Sequence, residues 1–508
     1  MFTIIDSFLN KTTMYRVVLY YLASLLGIAF ILSFFGVLPF TPLALLLSTA
    51  VLIVISWAVN TVFAFVFEAP ANIESTFITA LILALIITPA SLDHFTSFLA
   101  FLGWAAVWAM ASKFVFAIGK KHLFNPAAFA VALTAFTINQ SASWWIGNSW
   151  MALFVFLGGV FLVRKIKRFD LAFSFFVAAL ATIIGFGLIM GGDLTQLIQR
   201  TLFNSPLLFF SFVMITEPLT TPPTRLLRVI YGAFVGFLFA PNIHIGSIYS
   251  TPELALLVGN IYSYAASPKE KHILKLEKRI RVTPTIFDFI FNTNERFDFK
   301  PGQYLEWTLG HYRPDDRGNR RYFTIASSPT EPGIRLGVKF YEPPSTFKKA
   351  LAFMRTGDEL VASQLSGDFV LPNDPNKKLV FIAGGVGITP FRSMIKYLAD
   401  MNEKRDVVLL YSNRKADEVA YKDVFDEAIG KIGLKTIYAV TDTGSAIPDW
   451  CHGGLIDGKM IIANIPDYKE CVFYISGPKV MVDAFQKTLK GLGVKRRQIK
   501  TDFFPGFA

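Results

Sequence analysis

Residues 378–390 read Lys-Leu-Val-Phe-Ile-Ala-Gly-Gly-Val-Gly-Ile-Thr-Pro. The apolar run Leu379–Ala383 spells a strand buried on both faces, and Gly384, Gly385, Gly387 and Thr389-Pro390 turn it into a helix. Glycines at such a turn let a pyrophosphate approach backbone N–H groups. Two further runs, Asp-Val-Val-Leu-Leu-Tyr-Ser-Asn (406–413) and Glu-Cys-Val-Phe-Tyr-Ile (470–475), repeat the strand texture, so residues 375–508 read as an α/β parallel-sheet domain that binds NAD(P). Immediately upstream the texture changes. Residues 273–374 alternate polar and apolar side chains in short runs, as in ILKLEKRIRVTPTIFDFIF from Ile273, the pattern of an antiparallel β-barrel. A polar linker, residues 267–272, precedes it.

The first 266 residues are of another kind. They hold 12 basic and 8 acidic side chains, against 37 and 29 in the remaining 242 positions. A membrane-embedded half followed by a soluble half is implied, and a single soluble domain or a disordered chain is excluded. Apolar runs near 16–35, 43–67, 76–89, 95–117, 126–138, 149–163, 171–190, 206–217, 226–240 and 253–266 give an all-α transmembrane bundle of ten helices. The runs 126–138 and 206–217 fall short of a full span and read as broken helices inside the bundle. If the N-terminus is cytoplasmic, alternate loops carry Lys120, Lys121, Arg164, Lys165, Lys167, Arg168, Arg225 and Arg228, while the opposite loops carry Arg200. That asymmetry predicts a multi-pass protein of the cell (inner) membrane, with the N-terminus and the soluble half cytoplasmic. No cleavable leader is expected, because the segment from Arg16 runs straight into a full span.

Only Cys451 and Cys471 occur, too few for a four-thiolate iron–sulfur cluster, and no metal site is expected. The histidines of the membrane half, His94, His122 and His244, lie at loop edges as interfacial polar residues, so haem ligation on facing helices is not expected either. The net charge of +12 is assigned to loops facing anionic lipid and to the soluble surface; no nucleic-acid motif accompanies it.

Three polar interruptions break the membrane half: Asn72–Thr76, Phe124-Asn125-Pro126, and Thr216-Glu217-Pro218-Leu-Thr220-Thr221-Pro222. The first reads as a simple helix start. The other two stand at corresponding places in two five-span halves, the sign of an inverted 5+5 repeat whose half-helix ends meet a ligand. Asn125, Pro126, Thr216, Glu217 and Thr220 are the candidate residues. With its GKKHLFNPAA segment (119–128) and ITEPLTTP segment (215–222), this half resembles the NqrB/RnfD family, membrane proteins of the sodium-pumping quinone reductase and of the Rnf complex. In that family an S/T-G-A-T threonine carries flavin mononucleotide covalently; the corresponding loop here reads NQSASWWIGN (139–148). The resemblance therefore implies a non-covalent flavin (FMN or riboflavin) or a quinone.

In the soluble half, six motifs follow in order: Pro301-Gly-Gln-Tyr304; Arg321-Tyr322-Phe323-Thr324 with Ser327-Ser328-Pro329; Gly337-Val338-Lys339 with Ser345-Thr346; Gly367-Asp-Phe369; the glycine turn; and Ser476-Gly477-Pro478 with the terminal Phe504 and Phe507. The set resembles the ferredoxin-NADP reductase superfamily. The resemblance implies that FAD is held by Arg321, Tyr322, Phe323, Thr324, Val338, Lys339, Ser345, Thr346 and Phe504. It implies that the coenzyme is held by Gly384, Gly385, Gly387, Thr389, Pro390, Ser412, Arg414, Ser476, Gly477 and Pro478. Catalytic roles fall to Thr324, beside the hydride-accepting flavin nitrogen, and Ser476, beside the nicotinamide. Phe323 replaces the family's Tyr, and Ser476 its Cys. Arg414 after the second strand, with no acidic residue immediately following that strand, tilts the coenzyme to NADPH. The expected activity is a membrane flavoenzyme in which NAD(P)H reduces FAD and electrons pass to a bound flavin, a quinone or a partner redox protein. The alternative is an ion-translocating or transport module energised by the reductase; Glu217 is the one acid near mid-span, the others being expected in loops.

Overall fold

A computed structural model of the chain describes residues 12–68, 73–91, 93, 95–118, 121–266, 271–292, 298–312, 315, 318–442, 444 and 447–502. The chain divides into two compact units, Met1–Glu270 and Lys271–Ala508. Phe504, Phe507, Asn72, His94 and Lys120 lie outside the described residues.

The first unit is helical: α1 Met14–Phe34, α2 Pro42–Val66, α3 Ile73–Ile86, α4 Phe95–Val115, α5 Pro126–Ile138, α6 Ser149–Ile166, α7 Phe169–Ile189, α8 Leu194–Phe203, α9 Leu207–Met214, α10 Arg225–Leu238 and α11 Pro252–Ala266. Sequence-local caps start several of them. Thr13, Thr41, Asn125 and Asn148 each accept a backbone N–H of the first turn, and Pro42 and Pro126 stand where a missing N–H costs nothing. Gly232 and Gly236 let α10 lie directly on α7: a Cβ at either would come within 2.8 Å of Leu171 O and 2.6 Å of Phe175 O respectively.

Each apolar run read from the sequence contains helix. Among the described residues five helices, Met14–Phe34, Pro42–Val66, Phe98–Val115, Ser149–Ile166 and Phe169–Ile189, are long and apolar enough to cross a membrane. Leu194–Phe203 and Leu207–Met214 qualify only as a pair bent by 55°. Ile73–Ile86 and Pro126–Ile138 are shorter apolar helices. The helix α8 had no counterpart in the sequence reading: its polar Gln196, Gln199 and Arg200 dilute the apolar signal, and Asp193 caps it by accepting from Gln196 N. The acids do not all lie in loops. Glu253 is buried in the first turn of α11 and accepts from Trp144 Nε1 at 3.1 Å, while Asp170 in α7 pairs with Arg228 at 2.7 Å.

The second unit begins with a six-stranded antiparallel sheet: β1 Lys271–Arg281, β2 Ile286–Asn292, β3 Tyr304–Thr308, β4 Arg320–Thr324, β5 Ile334–Lys339 and β6 Glu359–Ser366, in the order β4-β3-β6-β1-β2-β5. Its edges meet beyond β4, where Ala326 N donates to Arg335 O at 2.9 Å. Phe289, Phe291, Trp307, Leu336, Val338 and Phe347 of α12 (Thr346–Phe353) fill the interior.

A six-stranded parallel sheet follows: β7 Leu379–Gly384, β8 Val407–Asn413, β9 Lys435–Val440, β10 Cys451–Gly453, β11 Val472–Ser476 and β12 Ile499–Asp502, ordered β10-β9-β8-β7-β11-β12. Alternate residues of β7 face opposite layers. Phe381 joins Phe391, Ile395 and Phe425 of α13 (Thr389–Asp400) and α14 (Lys422–Ile432), while Val380 and Ile382 join Val482 and Phe485 of α16 (Lys479–Gly491) and Ile461 of α15 (Gly458–Asn464). From β7 the chain steps outward through β8, β9 and β10, then returns to lay β11 on the other side of β7. That reversal creates a crevice at the carboxyl ends of β7 and β11.

Buried charge joins barrel to sheet. Arg392 of α13 grips Glu331 through both nitrogens, at 2.6 and 2.8 Å, and donates to Ala326 O at 2.7 Å. Asp288, fully buried, accepts from Arg335 and from Tyr421 Oη, both at 2.6 Å. Burial pushes the Glu331 carboxyl up, but the hydrogen bonds and charge of Arg392 outweigh it and hold the group below the usual carboxylate range. A carboxyl so depressed contributes stability that is present above its unfolded pKa of about 4.3 and is lost as pH falls through the folded value. Glu331→Gln therefore costs about 3 kcal/mol at pH 7, because Arg392 is left buried with no carboxylate, and the deficit shrinks below about pH 4. Urea unfolding of the full chain at the two pH values measures both effects.

Candidate functional site

The glycine turn sits in the crevice. Gly384 ends β7, Gly385–Ile388 form one tight turn, and Thr389-Pro390 open α13. Gly385 adopts φ +53° with nothing within 4 Å of where a Cβ would be, so its backbone faces open space. Tyr411 of β8 fixes this peptide by donating to Gly385 O at 3.1 Å; burial raises its hydroxyl pKa, which keeps the proton in place. Gly387 has the opposite surroundings. A Cβ there would lie 2.5 Å from Ser476 O and 2.6 Å from Gly477 N, so the turn is pressed against the loop that ends β11. Gly384, Gly385, Gly387, Thr389, Pro390, Ser476, Gly477 and Pro478 are thereby brought to one place by two strands separated by about 90 positions of sequence. Ser412 pairs in register with Gly384 on the neighbouring strand, and Arg414 just beyond is exposed.

Thr389 also reaches the barrel. A Cβ on Gly337 would come within 2.8 Å of Thr389 Cγ2 and 2.6 Å of Tyr421 Oη. The start of α13 therefore abuts β5.

The barrel residues separate into two groups. On β4, Arg321 and Phe323 share a face with Phe347: the guanidinium carbon lies 5.1 Å from that ring's centre and Phe323 6.0 Å. Tyr322 points the other way, donating to Glu306 at 2.7 Å and meeting Tyr304 edge-on. Thr324 is buried at the strand end. Buried Arg321 donates to Asp315 Oδ1 at 3.2 Å, and Asp315 Oδ2 accepts from Thr346 N at 3.2 Å. Thr346 Oγ1 accepts from Asp315 N at 2.9 Å and lies 3.1 Å from His311 Nε2. Ser345 caps the helix. Arg321 and Thr346 thus converge on one carboxylate, and Ser345 stands beside them as the cap of the same helix. A buried guanidinium and a helix N-terminus that jointly seat one anion fit the phosphates of a flavin dinucleotide.

Val338 and Lys339 do not join this cradle. The Val338 side chain is in the barrel core, which leaves its backbone as the part able to contact a flavin. Lys339 pairs with Glu418 at 3.1 Å, beyond β8. Glu418 and Asp417 form the turn after that strand, so acids stand close behind Arg414. Asp315, His311 and Phe347 escaped the sequence reading, since no motif flags them; nor did any signal mark the Glu331–Arg392 pair.

In the helical unit the interruptions meet. Asn125 Nδ2 donates to Glu217 Oε2 at 2.8 Å, Thr220 Oγ1 to the same oxygen at 3.2 Å, and His122 Nε2 lies 3.2 Å from Oε1. Asn125, Pro126, Thr216 and Glu217 line one cleft of about 70 Å³. Its other walls include Val18, Ile78, Leu162 and Val213. His122 is therefore a partner of Glu217 rather than an isolated interfacial side chain.

Residues 381–487 match the oxidoreductase NAD-binding domain family. Among curated relatives, a flavohemoprotein of Bacillus cereus is 30% identical over 215 residues, covering 41% of this chain and 53% of the relative. The glycine betaine monooxygenase reductase subunit of Chromohalobacter salexigens is 27% identical over 228 residues, 44% of this chain and 61% of the relative. The chain thus spans only about half to three-fifths of the length of these relatives. A solved flavohemoglobin of Malassezia yamatoensis aligns with TM-score 0.44 at 17% identity, over 91% of this chain and 98% of that one. The second unit is an oxidoreductase of the NAD(P)H- and FAD-dependent kind. The expectation that haem plays no part does not stand. Flavohemoproteins are among the curated relatives, and His94, on which the exclusion partly rested, is outside the described residues.

Proposed function

We propose that the chain is a membrane flavoprotein oxidoreductase: NAD(P)H reduces FAD in residues 273–508, and the electrons pass into a helical unit of residues 1–266 and on to a lipid-soluble quinone, a second flavin or a partner redox protein. The observation that carries the reading is the seat of the glycine turn, at the reversal of a parallel sheet and pressed through Thr389 against a barrel with an anion cradle, in a chain that also has five membrane-length apolar helices among the described residues. Bound FAD would supply the exchange of a hydride for single electrons. Arg321, Ser345 and Thr346 would hold its phosphates, Phe323 would flank it, and Thr324 would present a hydroxyl to the ring. The turn at 384–390 would hold the coenzyme's pyrophosphate, while Ser476 and Thr389 would bracket the nicotinamide. Lys271 and His272 are paired in β1, so the linker expected over 267–272 shortens to 267–270, and 375–508 would form the coenzyme domain.

For the helical unit we read ten spans in two inverted halves, with both termini cytoplasmic. Long-range polar contacts support this topology. Arg16–Glu74, His122–Glu217, Arg168–Thr221 and Arg228–Asp170 join loops or helix ends assigned to the cytoplasmic side; Thr88–Ser143, Ser149–Asn204 and Trp144–Glu253 join those assigned to the other.

The test is NAD(P)H oxidation by the full chain in lipid nanodiscs, with ferricyanide and with ubiquinone-1 as acceptors, alongside total and acid-releasable flavin. FAD together with NAD(P)H-dependent reduction of both acceptors is expected; a flavin-free protein inert toward NAD(P)H overturns the reading. Exposed Arg414 can pair with a 2′-phosphate, so Arg414→Ala should raise the KM for NADPH about tenfold and leave that for NADH unchanged. Steady-state kinetics with the two coenzymes decide it.

A further inference from the structure

We propose that Glu217 and His122 form the proton donor of the helical unit's cleft, delivering protons to a quinone-class acceptor as it takes up electrons. The proposal rests on the reading above that the acceptor is a quinone. The cleft suits such a molecule, with largely apolar walls, interrupted by Ser75 and Thr79, and a polar end at Asn125, Thr216 and Glu217. A quinone becomes a quinol only by gaining two protons with its two electrons, so an apolar pocket must bring a proton source with it. Glu217 is the only carboxylate among the described lining residues.

Its hydrogen bonds decide which oxygen carries the proton. Asn125 Oδ1 is committed to Ala128 N at 3.0 Å, as the cap of α5, which turns its amide nitrogen toward Glu217. Oε2 accordingly accepts from Asn125 and from Thr220 and is saturated as an acceptor. Oε1 meets His122 Nε2, so a shared proton belongs on that side. The assembly is rigid. Asn125 N donates to Asn260 Oδ1 at 2.8 Å, and Asn260 Nδ2 donates to Tyr231 Oη at 3.1 Å. The other charge facing Glu217 is Lys113, whose Nζ is moored on Ser75 O and Oγ at 3.1 and 3.2 Å and whose field offsets the carboxylate. Among the described residues the charged and titratable groups that face Glu217 are therefore His122, Lys113 and Tyr231.

In the proposed step the Oε1–H bond breaks and an O–H bond forms on the ring oxygen, while the electrons arrive from NAD(P)H through the reductase unit. His122 then takes a proton from solvent, and its imidazolium returns one from Nε2 to Oε1, which leaves the imidazole neutral again. A second pass delivers the second proton. The hydride's own hydrogen is released as a proton from the reductase unit when its two electrons leave, so two protons taken up and one released make the balance NAD(P)H, one proton and quinone going to NAD(P)⁺ and quinol.

The experiment measures NAD(P)H:ubiquinone-1 reduction by the full chain, wild type, Glu217→Gln and His122→Gln, in H₂O and D₂O across pH 5–9. Ferricyanide, which draws electrons from the reductase unit, reads whether each variant is folded and flavin-loaded. Removing a general acid should lower kcat for ubiquinone-1 about 100-fold in E217Q. H122Q should lose less and lose the alkaline-side slope of the pH profile, and the solvent isotope effect should rise in both. Wild-type kcat and pH profile in both variants overturn the relay, as does a rise in KM for ubiquinone-1 with kcat and isotope effect unchanged. A wild type that reduces ferricyanide but not ubiquinone-1 overturns the quinone reading, and the relay with it.

Discussion

The Gly387→Val protein should keep its flavin and lose NAD(P)H oxidation. The first Cβ atom at this position would stand 2.5 Å from Ser476 O and 2.6 Å from the backbone of Gly477, and neither is the tip of a flexible side chain that could swing aside. The turn must separate from the β11 loop by an ångström or more, and the two halves of the coenzyme crevice separate with it. A misplacement of about 1 Å in reacting groups costs on the order of 100-fold in rate. The barrel's own anion cradle at Arg321 and Thr346 is built from other elements and is untouched, so FAD content should match the wild type while NAD(P)H:ferricyanide activity falls by about two orders of magnitude. Gly385→Ala is the informative companion. Its Cβ would meet nothing within 4 Å, so any defect there arises from the left-handed φ of +53° alone and should be smaller, a cost of about 1 kcal/mol in stability.

The contrast between those two glycines shows what sequence can and cannot express. That a strand, a glycine turn and a helix follow one another at 379–400 is local information, carried by an unbroken apolar run and by residues whose backbone preferences are strong; the structure starts the helix at Thr389. Which glycine meets open space and which meets Ser476 depends on β11 returning beside β7, a pairing across some 90 residues that no local pattern encodes. The helical unit repeats the lesson. Pro126 and Pro218 advertise interruptions, and the polar residues beside them were visible one by one, yet the hydrogen bond from Asn125 to Glu217 joins positions 92 apart. His122 looked unremarkable because its partner is remote. The helix α8 was lost for a different reason: its apolar residues form a stripe among polar ones, and a reading tuned to continuous apolar runs passes over it. On β4, alternation puts Arg321 and Phe323 on one face and Tyr322 on the other, so period-two geometry separates two neighbouring aromatics that the sequence reading grouped together as flavin contacts.

Arg321→Ala should yield a protein that folds and carries almost no FAD. The guanidinium is buried, fixed by Gly318 O and Arg320 O at 2.9 and 2.8 Å, and so points its remaining donors at one spot without further ordering cost. A charge-assisted hydrogen bond contributes about 1.5–3 kcal/mol, and losing it weakens FAD binding by about 10- to 100-fold. Arg321→Lys should recover only part of this, because a single ammonium cannot reproduce the fork that reaches Asp315 and both carbonyls. Asp315 supplies the control that separates phosphate binding from simple structural loss. Its carboxylate now occupies the place between Arg321 and Thr346 N, so an incoming phosphate must compete with it. Asp315→Asn removes that charge and keeps the shape, and FAD affinity measured by flavin fluorescence on the deflavinated chain should rise severalfold. If Arg321 served only to hold the loop through Asp315, both substitutions would instead weaken FAD together. Opposite signs for the two variants are the signature of a flavin phosphate seated where the carboxylate now lies.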